Sequence, residues 1–202
     1  MDHAETLQEA SAHISQGKIN KAASTIEKHY PFVPPANAGR KYTPFQSTQV
    51  FLRDGFCDRY TGKRLINPAA LRMLSAFLPD QFPAHPNWKQ SESHIGFWEL
   101  FPTIDHLFPV ARGGPDTPGN WVTTSMLSNS AKSNALLEEL GWELSPPGDI
   151  NMWDGLTGAL ITYLNQDPAL NQIPEVGQRH RSYILKWIRA SKRALSEPLV
   201  AG

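Results

Sequence analysis

The sequence predicts an α+β fold: a short antiparallel hairpin and the helix after it, surrounded by several α-helices. Three observations carry this. "SHIGFWELFPTIDH" (93–106) alternates and is rich in aromatics, and "NWVTT" (120–124) is a second strand-like run; the Pro- and Gly-rich stretch between them makes a hairpin. Apolar residues recur at helical spacing near both termini, with Leu7, Ala10, Ile14, Ile19, Ala22, Ala23 and Ile26 at one and Tyr183, Ile184, Trp187, Ile188 and Leu195 at the other. The 202 residues are 40% hydrophobic and 19% charged, enough for one sizeable core with extensions.

Taken in order, residues 4–29 form two short helices parted by Gly17. "PFVPPANAGRKYTPF" (31–45) is an extended Pro-rich linker. In "TQVFLRDGFCDRYTGKRL" (48–65) the "RDG" and "TG" turn signals separate short strand-like pieces. "NPAALRMLSAFLP" (67–79) is a helix capped by Asn67, with Pro68 at its first position. "SMLSNSAKSNALLEELG" (125–141) is a helix with Ser125 as N-cap and Gly141 as its stop. Two further helices cover 152–166 and 176–195. The expected organisation is a helical extension and linker (1–45), a central core (46–142) and a C-terminal helical extension (143–202).

Lys plus Arg and Asp plus Glu are 19 each, so the net charge is zero, which speaks against a protein that coats nucleic acid but leaves room for basic patches. Seven basic residues lie between Arg40 and Arg72, and six between Arg179 and Arg193. The single Cys57 rules out an internal disulfide and a Cys-rich zinc site. No apolar run approaches the roughly 20 residues of a membrane helix, and the polar start "MDHAETLQEA" is no signal peptide, so a cytoplasmic protein without a membrane partner is expected.

The chemistry concentrates in "IDHLFPVARGGPDTPGNWVTTSMLSNSAKSN" (104–134). Asp105 offers hard oxygens for a divalent cation. His106, with an ordinary pKa of about 6.5, suits a general base acting on water near neutral pH. Adjacent strand residues point to opposite sides, so the two can share a site only where the strand ends and bends, as Pro109 and Gly113-Gly114 allow. Asn120 is placed to clamp the Gly loop through its amide. Asn129 and Lys132 lie three apart on one helix face: the former is a neutral oxygen ligand, the latter a mobile positive charge for phosphate. Leu127 and Ala131, on the opposite face, are expected to anchor the helix.

Asp-His, Pro, Gly-Gly, a middle Asn, then Asn and Lys in order and spacing resemble the HNH endonuclease motif, a ββα-metal fold. The match covers about thirty residues directly, and "FLRDGFCDRYTGKRL" resembles the segment that often precedes such cores. The resemblance implies a metal-binding Asp105 and Asn129, a catalytic His106, a middle Asn120 and a trailing Lys132. It implies hydrolysis of DNA, double-stranded, with one Mg²⁺ or Mn²⁺ ion, in a setting such as restriction or defence. Many members hold a structural zinc with two Cys-x-x-Cys pairs; the matching positions are Cys57, Tyr60, Ser125 and Ser128, so three of four thiolates are missing and that zinc is not expected. Arg112 beside the Gly loop and Lys186, Arg189 and Arg193 on the last helix are candidate DNA contacts, with a solvated surface as the plain alternative. Glu99, in the strand before His106, and a site built from His85, His94 and Cys57 are weaker metal candidates. No heptad or interface is legible, and a homodimer stays open. Two other functions fit the residues: a non-catalytic nucleic-acid-binding protein, and an RNA-cutting toxin on the same scaffold.

Overall fold

A computed structural model describes residues 2–32, 41–165 and 172–199. The chain divides into two compact units, 1–40 and 41–202. In the first, α1 (His3–Ser15) packs against α2 (Ile19–His29) across a turn at Gly17. Asp2 starts α1 through a reciprocal capping box with Glu5, which satisfies backbone donors that have no partner inside the helix. Residues 33–40, most of the expected linker, lie outside the described residues.

The second unit opens with α3 (Pro44–Arg53), where strand-like pieces were expected from residue 48 onward. The start signal explains the difference. Thr43 and Gln46 cap one another, and Pro44 occupies the first helical position. Once the helix begins there, Ser47, Thr48, Val50 and Phe51 share its buried side, and packing overrides the β-branched preference of the run. Of the expected strand pieces only one backbone bridge remains, between Cys57 and Arg64.

Next, α4 (Pro68–Phe77) begins at Asn67, as its sequence indicates. The fully buried Asn67 side chain accepts from Ala69 N–H and donates to Thr157 Oγ1 at 3.0 Å and Ser191 Oγ at 2.9 Å. One cap thus ties three helices together. A short α5 (Gly96–Glu99) follows, where a strand was expected; Phe97 and Phe101 join a cluster with Leu71 and Ala84 instead of alternating across a sheet. Only β1 (Pro102–His106) is extended.

β1 pairs antiparallel with β2 (Trp121–Ser125), Asp105 opposite Val122 and His106 opposite Trp121. Asn120 closes a 3₁₀ turn immediately before β2. After β2 comes α6 (Met126–Lys132), capped by Ser125 Oγ accepting from Ser128 N–H at 3.0 Å. The helix expected to reach 140 breaks at Ser133, whose φ is +50°, and restarts as α7 (Leu137–Leu140) before Gly141. Finally α8 (Thr157–Leu164) and α9 (Arg181–Ser196) join α3 and α4 around Phe51, Phe56, Leu160, Ile184 and Trp187. The segment 143–202 therefore shares its core with 46–142. The second unit is α+β: among its described residues, helices pack around one two-stranded sheet. No helix among the described residues is long and apolar enough to cross a membrane.

Candidate functional site

The hairpin is braced along β2 by two buried carboxylates. Asp54 Oδ2 accepts from the Thr123 backbone N–H at 2.7 Å, while its other oxygen meets Arg53 and Arg59. Asp58 Oδ2 accepts from Ser125 N–H at 3.1 Å and Ser128 Oγ at 2.7 Å; Oδ1 accepts from Tyr60 N–H at 3.0 Å and Thr124 Oγ1 at 3.2 Å. Burial pushes the Asp58 carboxyl up, but hydrogen bonds from Ser128, Tyr60 and Ser125 outweigh it and hold the pKa below its ordinary value. These side chains join the 57–60 turn to the start of α6. The Asp58 carboxylate thus bonds residues at three of the positions compared above with a zinc quartet, Tyr60, Ser125 and Ser128.

The Gly loop after β1 is shaped as its residues suggest. Gly113 has φ +93°, a conformation costly for a residue with a Cβ. Gly114 lies so close to the Phe108 carbonyl that a Cβ would overlap it. Asn120 clamps this loop: Oδ1 accepts from Phe108 N–H at 2.9 Å, and Nδ2 donates to Phe108 O at 2.9 Å and Pro115 O at 2.8 Å.

At the end of β1, His106 is buried with Nε2 2.8 Å from Asp116 Oδ1 and 3.2 Å from the Tyr42 hydroxyl. Tyr42 Oη and Trp121 Nε1 also donate to Asp116 Oδ1, at 2.7 and 2.8 Å. Burial pushes the Asp116 carboxyl up, while these hydrogen bonds and the nearby imidazole bring it below its ordinary value. An ionised Asp116 accepts the Nε2–H, which fixes the tautomer and leaves the Nδ1 lone pair as the basic position.

β1 stays paired in register through His106, so the bend expected to bring the two neighbours into one site does not occur within the strand. On its other side, Asp105 Oδ2 accepts from the Tyr60 hydroxyl at 2.7 Å and lies 3.2 Å from Lys132 Nζ. Burial and the Asp105 charge push the Tyr60 pKa up, so the phenol stays a donor. Lys132 corrects an expectation. It is not a mobile surface charge: it is 1% exposed, and Nζ donates to His106 O at 2.8 Å. The α6 faces are likewise reversed, with Leu127 and Ala131 exposed and Ser128 and Lys132 turned inward. The physical reason is the Asp58 and Asp105 carboxylates beneath the helix, which attract the polar face. Asn129 Nδ2 donates to Thr103 Oγ1 at 3.1 Å and Ile104 O at 3.3 Å.

Asp105 Oδ1 and Asn129 Oδ1 accept no hydrogen bond among the described residues. No group of three His, Cys, Asp or Glu side chains suited to a metal occurs among the described residues. Glu99 is exposed on α5, and not part of a strand. His94 Nδ1 accepts from Gly96 N–H and His85 Nδ1 from Asn87 N–H.

The expected peripheral cations are occupied to different degrees. Arg112 pairs with Glu139 at 2.6 Å, and Arg193 pairs with Glu197 at 3.0 Å while lying 3.9 Å from the Phe45 ring centroid. Lys186 lies over Tyr183, and Arg189 is exposed. Sequence reasoning missed Asp116, Tyr42, Tyr60 and Asp58. Asp116 sits inside the motif itself, in "GGPDTPGN", and was the one within reach of a local reading. Comparison of the chain with protein-family models, with characterised proteins and with solved structures gives no match.

Proposed function

We propose that the chain is a metal-dependent endonuclease of the HNH type, hydrolysing phosphodiester bonds of double-stranded DNA. One observation carries the reading: Asp105, His106, Asn120, Asn129 and Lys132 all act on the end of β1 and the loop that leaves it. His106 takes a proton from water at Nδ1, and Asp116 steadies the imidazolium that forms. Asn120 keeps the loop folded back, so that the His106 backbone does not swing away. Lys132 holds the strand end through the His106 carbonyl and offsets the Asp105 charge. Asp105 Oδ1 and Asn129 Oδ1 would hold one Mg²⁺ or Mn²⁺ ion, which when bound stabilises charge on the phosphate and the leaving 3′ oxygen. Two protein oxygens suit Mg²⁺, which keeps several waters and takes substrate phosphate oxygens. Arg112, Lys186, Arg189 and Arg193 are proposed phosphate contacts. A cytoplasmic role in restriction or defence accompanies this reading, and a homodimer would let two such sites cut both strands.

One observation favours a second reading. Lys132 already neutralises Asp105 at 3.2 Å, which suits a nucleic-acid-binding protein that keeps this scaffold without turnover. Plasmid DNA and RNA incubated with Mg²⁺, Mn²⁺ or EDTA separate the possibilities. The nuclease reading expects metal-dependent plasmid cleavage, lost in His106→Ala with folding intact. Wild-type activity in that variant would remove the mechanism, binding without cleavage would establish the second reading, and RNA cleavage with DNA spared would identify a toxin.

A further inference from the structure

A separate recess of about 260 Å³ opens between α4, the 86–88 loop and the start of α9, lined by Arg72, Pro86, Trp88, Arg179, His180 and Tyr183. None of these residues takes part in the His106 site. At its base Arg72 is 5% exposed, yet no carboxylate pairs with it among the described residues and its Nε meets no acceptor. The guanidinium is instead surrounded by rings, 5.1 Å from the Trp88 centroid, 4.9 Å from Phe97 and 5.2 Å from Tyr183. A guanidinium keeps its charge in proteins, and a buried one is normally paired. Aromatic faces offset part of that cost, and the guanidinium also hydrogen-bonds the Tyr183 hydroxyl; that phenol stays neutral, so neither supplies a counter-charge.

Two neighbours sharpen the picture. Arg179 is exposed at the rim, its Nε 3.3 Å from His180 Nε2, and burial together with the charges of Arg72 and Arg179 pushes the His180 pKa down to about 4. His180 is therefore neutral at pH 7, and in neither form could an imidazole balance the Arg72 charge. Trp88 holds a left-handed backbone, φ +56°, which a bulky residue rarely adopts and which tends to mark functional positions. Its ring packs edge-on against Phe97, Trp98 and Phe101 while remaining part-exposed to the recess.

We propose that this recess binds the phosphate of a nucleoside monophosphate, with the phosphate between Arg72 and Arg179 and the base against Trp88. Two guanidiniums match a dianion better than a single carboxylate, and planar forks suit phosphate oxygens. The recess is larger than a phosphate needs, and its remaining walls are Trp88, Tyr183, Pro86 and His180, so the ligand also carries a flat ring to lie against Trp88. This holds whether or not the chain cleaves DNA.

Calorimetric titration of the full chain at pH 7 with dTMP, phenyl phosphate, inorganic phosphate and thymidine tests it. Binding is expected for dTMP and phenyl phosphate, with inorganic phosphate and thymidine each at least tenfold weaker. Arg72→Met and Arg179→Gln should each lower dTMP affinity tenfold or more. Removing an unpaired buried charge should leave the fold intact, and the exposed Arg179 provides the check if it does not. In NMR titrations the bound phosphate should raise the His180 pKa. Absence of dTMP binding, thymidine binding as tightly as dTMP, inorganic phosphate matching dTMP, or wild-type affinity in both variants would each overturn the proposal.

Discussion

Asp58→Asn removes one charge and almost no volume, and its cost can be worked from four contacts. The carboxylate accepts two backbone N–H groups, from Tyr60 and Ser125, and two hydroxyls, from Thr124 and Ser128. An amide accepts on one side only. Whichever way the introduced amide is turned, its NH₂ faces one backbone N–H and one hydroxyl; the hydroxyl can rotate to accept, and the N–H cannot. One buried donor is orphaned at about 1–3 kcal/mol, and the surviving bonds lose their charge assistance. Relief of the buried charge offsets a part, leaving a loss of about 2–4 kcal/mol. Urea denaturation at pH 7 should show this as a lower midpoint with an unchanged slope.

The same experiment in acid checks the cause. The folded Asp58 pKa lies below its unfolded value of about 3.9. Its contribution is therefore fully present above that pH and is lost as pH falls through the folded value. The gap between wild type and variant should close below about pH 3.9. A loss under about 0.5 kcal/mol at pH 7, within the range of ordinary surface substitutions, or a gap unchanged in acid, would refute this account of the α6 anchor.

Other perturbations probe the site. Asp116→Asn should lower kcat about 10- to 100-fold with the circular dichroism spectrum unchanged, because the Nε2 partner no longer fixes the His106 tautomer; full activity in the variant would show that Asp116 does not orient the base. Lys132→Met leaves the Asp105 carboxylate with Tyr60 alone and should cost about 3 kcal/mol. If Asp105 takes a cation, Mn²⁺ should raise the melting temperature of this variant more than that of wild type, and equal shifts would count against that ligand. Gly114→Ala forces a methyl group onto the Phe108 carbonyl and should cost about 1–3 kcal/mol while disturbing the Asn120 clamp; denaturation curves matching wild type would show that the loop yields easily.

What sequence reveals depends on how far apart the partners lie. Asn67, Ser125 and the Asn120 clamp were legible because each acts on backbone within about a dozen positions. The break at Ser133 and the helix at 44–53 were less so, since a left-handed residue and a reciprocal cap compete with longer-range periodicity. Lys132 was misplaced for a related reason. Helical spacing gives which residues share a face, but only the carboxylates below α6 decide which face turns inward.

By itself, then, the chain determined a hairpin closed by a Gly loop, a helix after it, the caps at Asn67 and Ser125 and the lack of an internal disulfide. These are local consequences of backbone conformation, short-range hydrogen bonding and composition. The tertiary structure alone decided that Tyr42 and Asp116 meet at His106, that Asp58 bonds Tyr60, Ser125 and Ser128, and that Arg72 lies buried with no acid beside it among the described residues. Each depends on contacts between residues distant in sequence, where side-chain charge is satisfied or left unsatisfied by what the fold brings beside it.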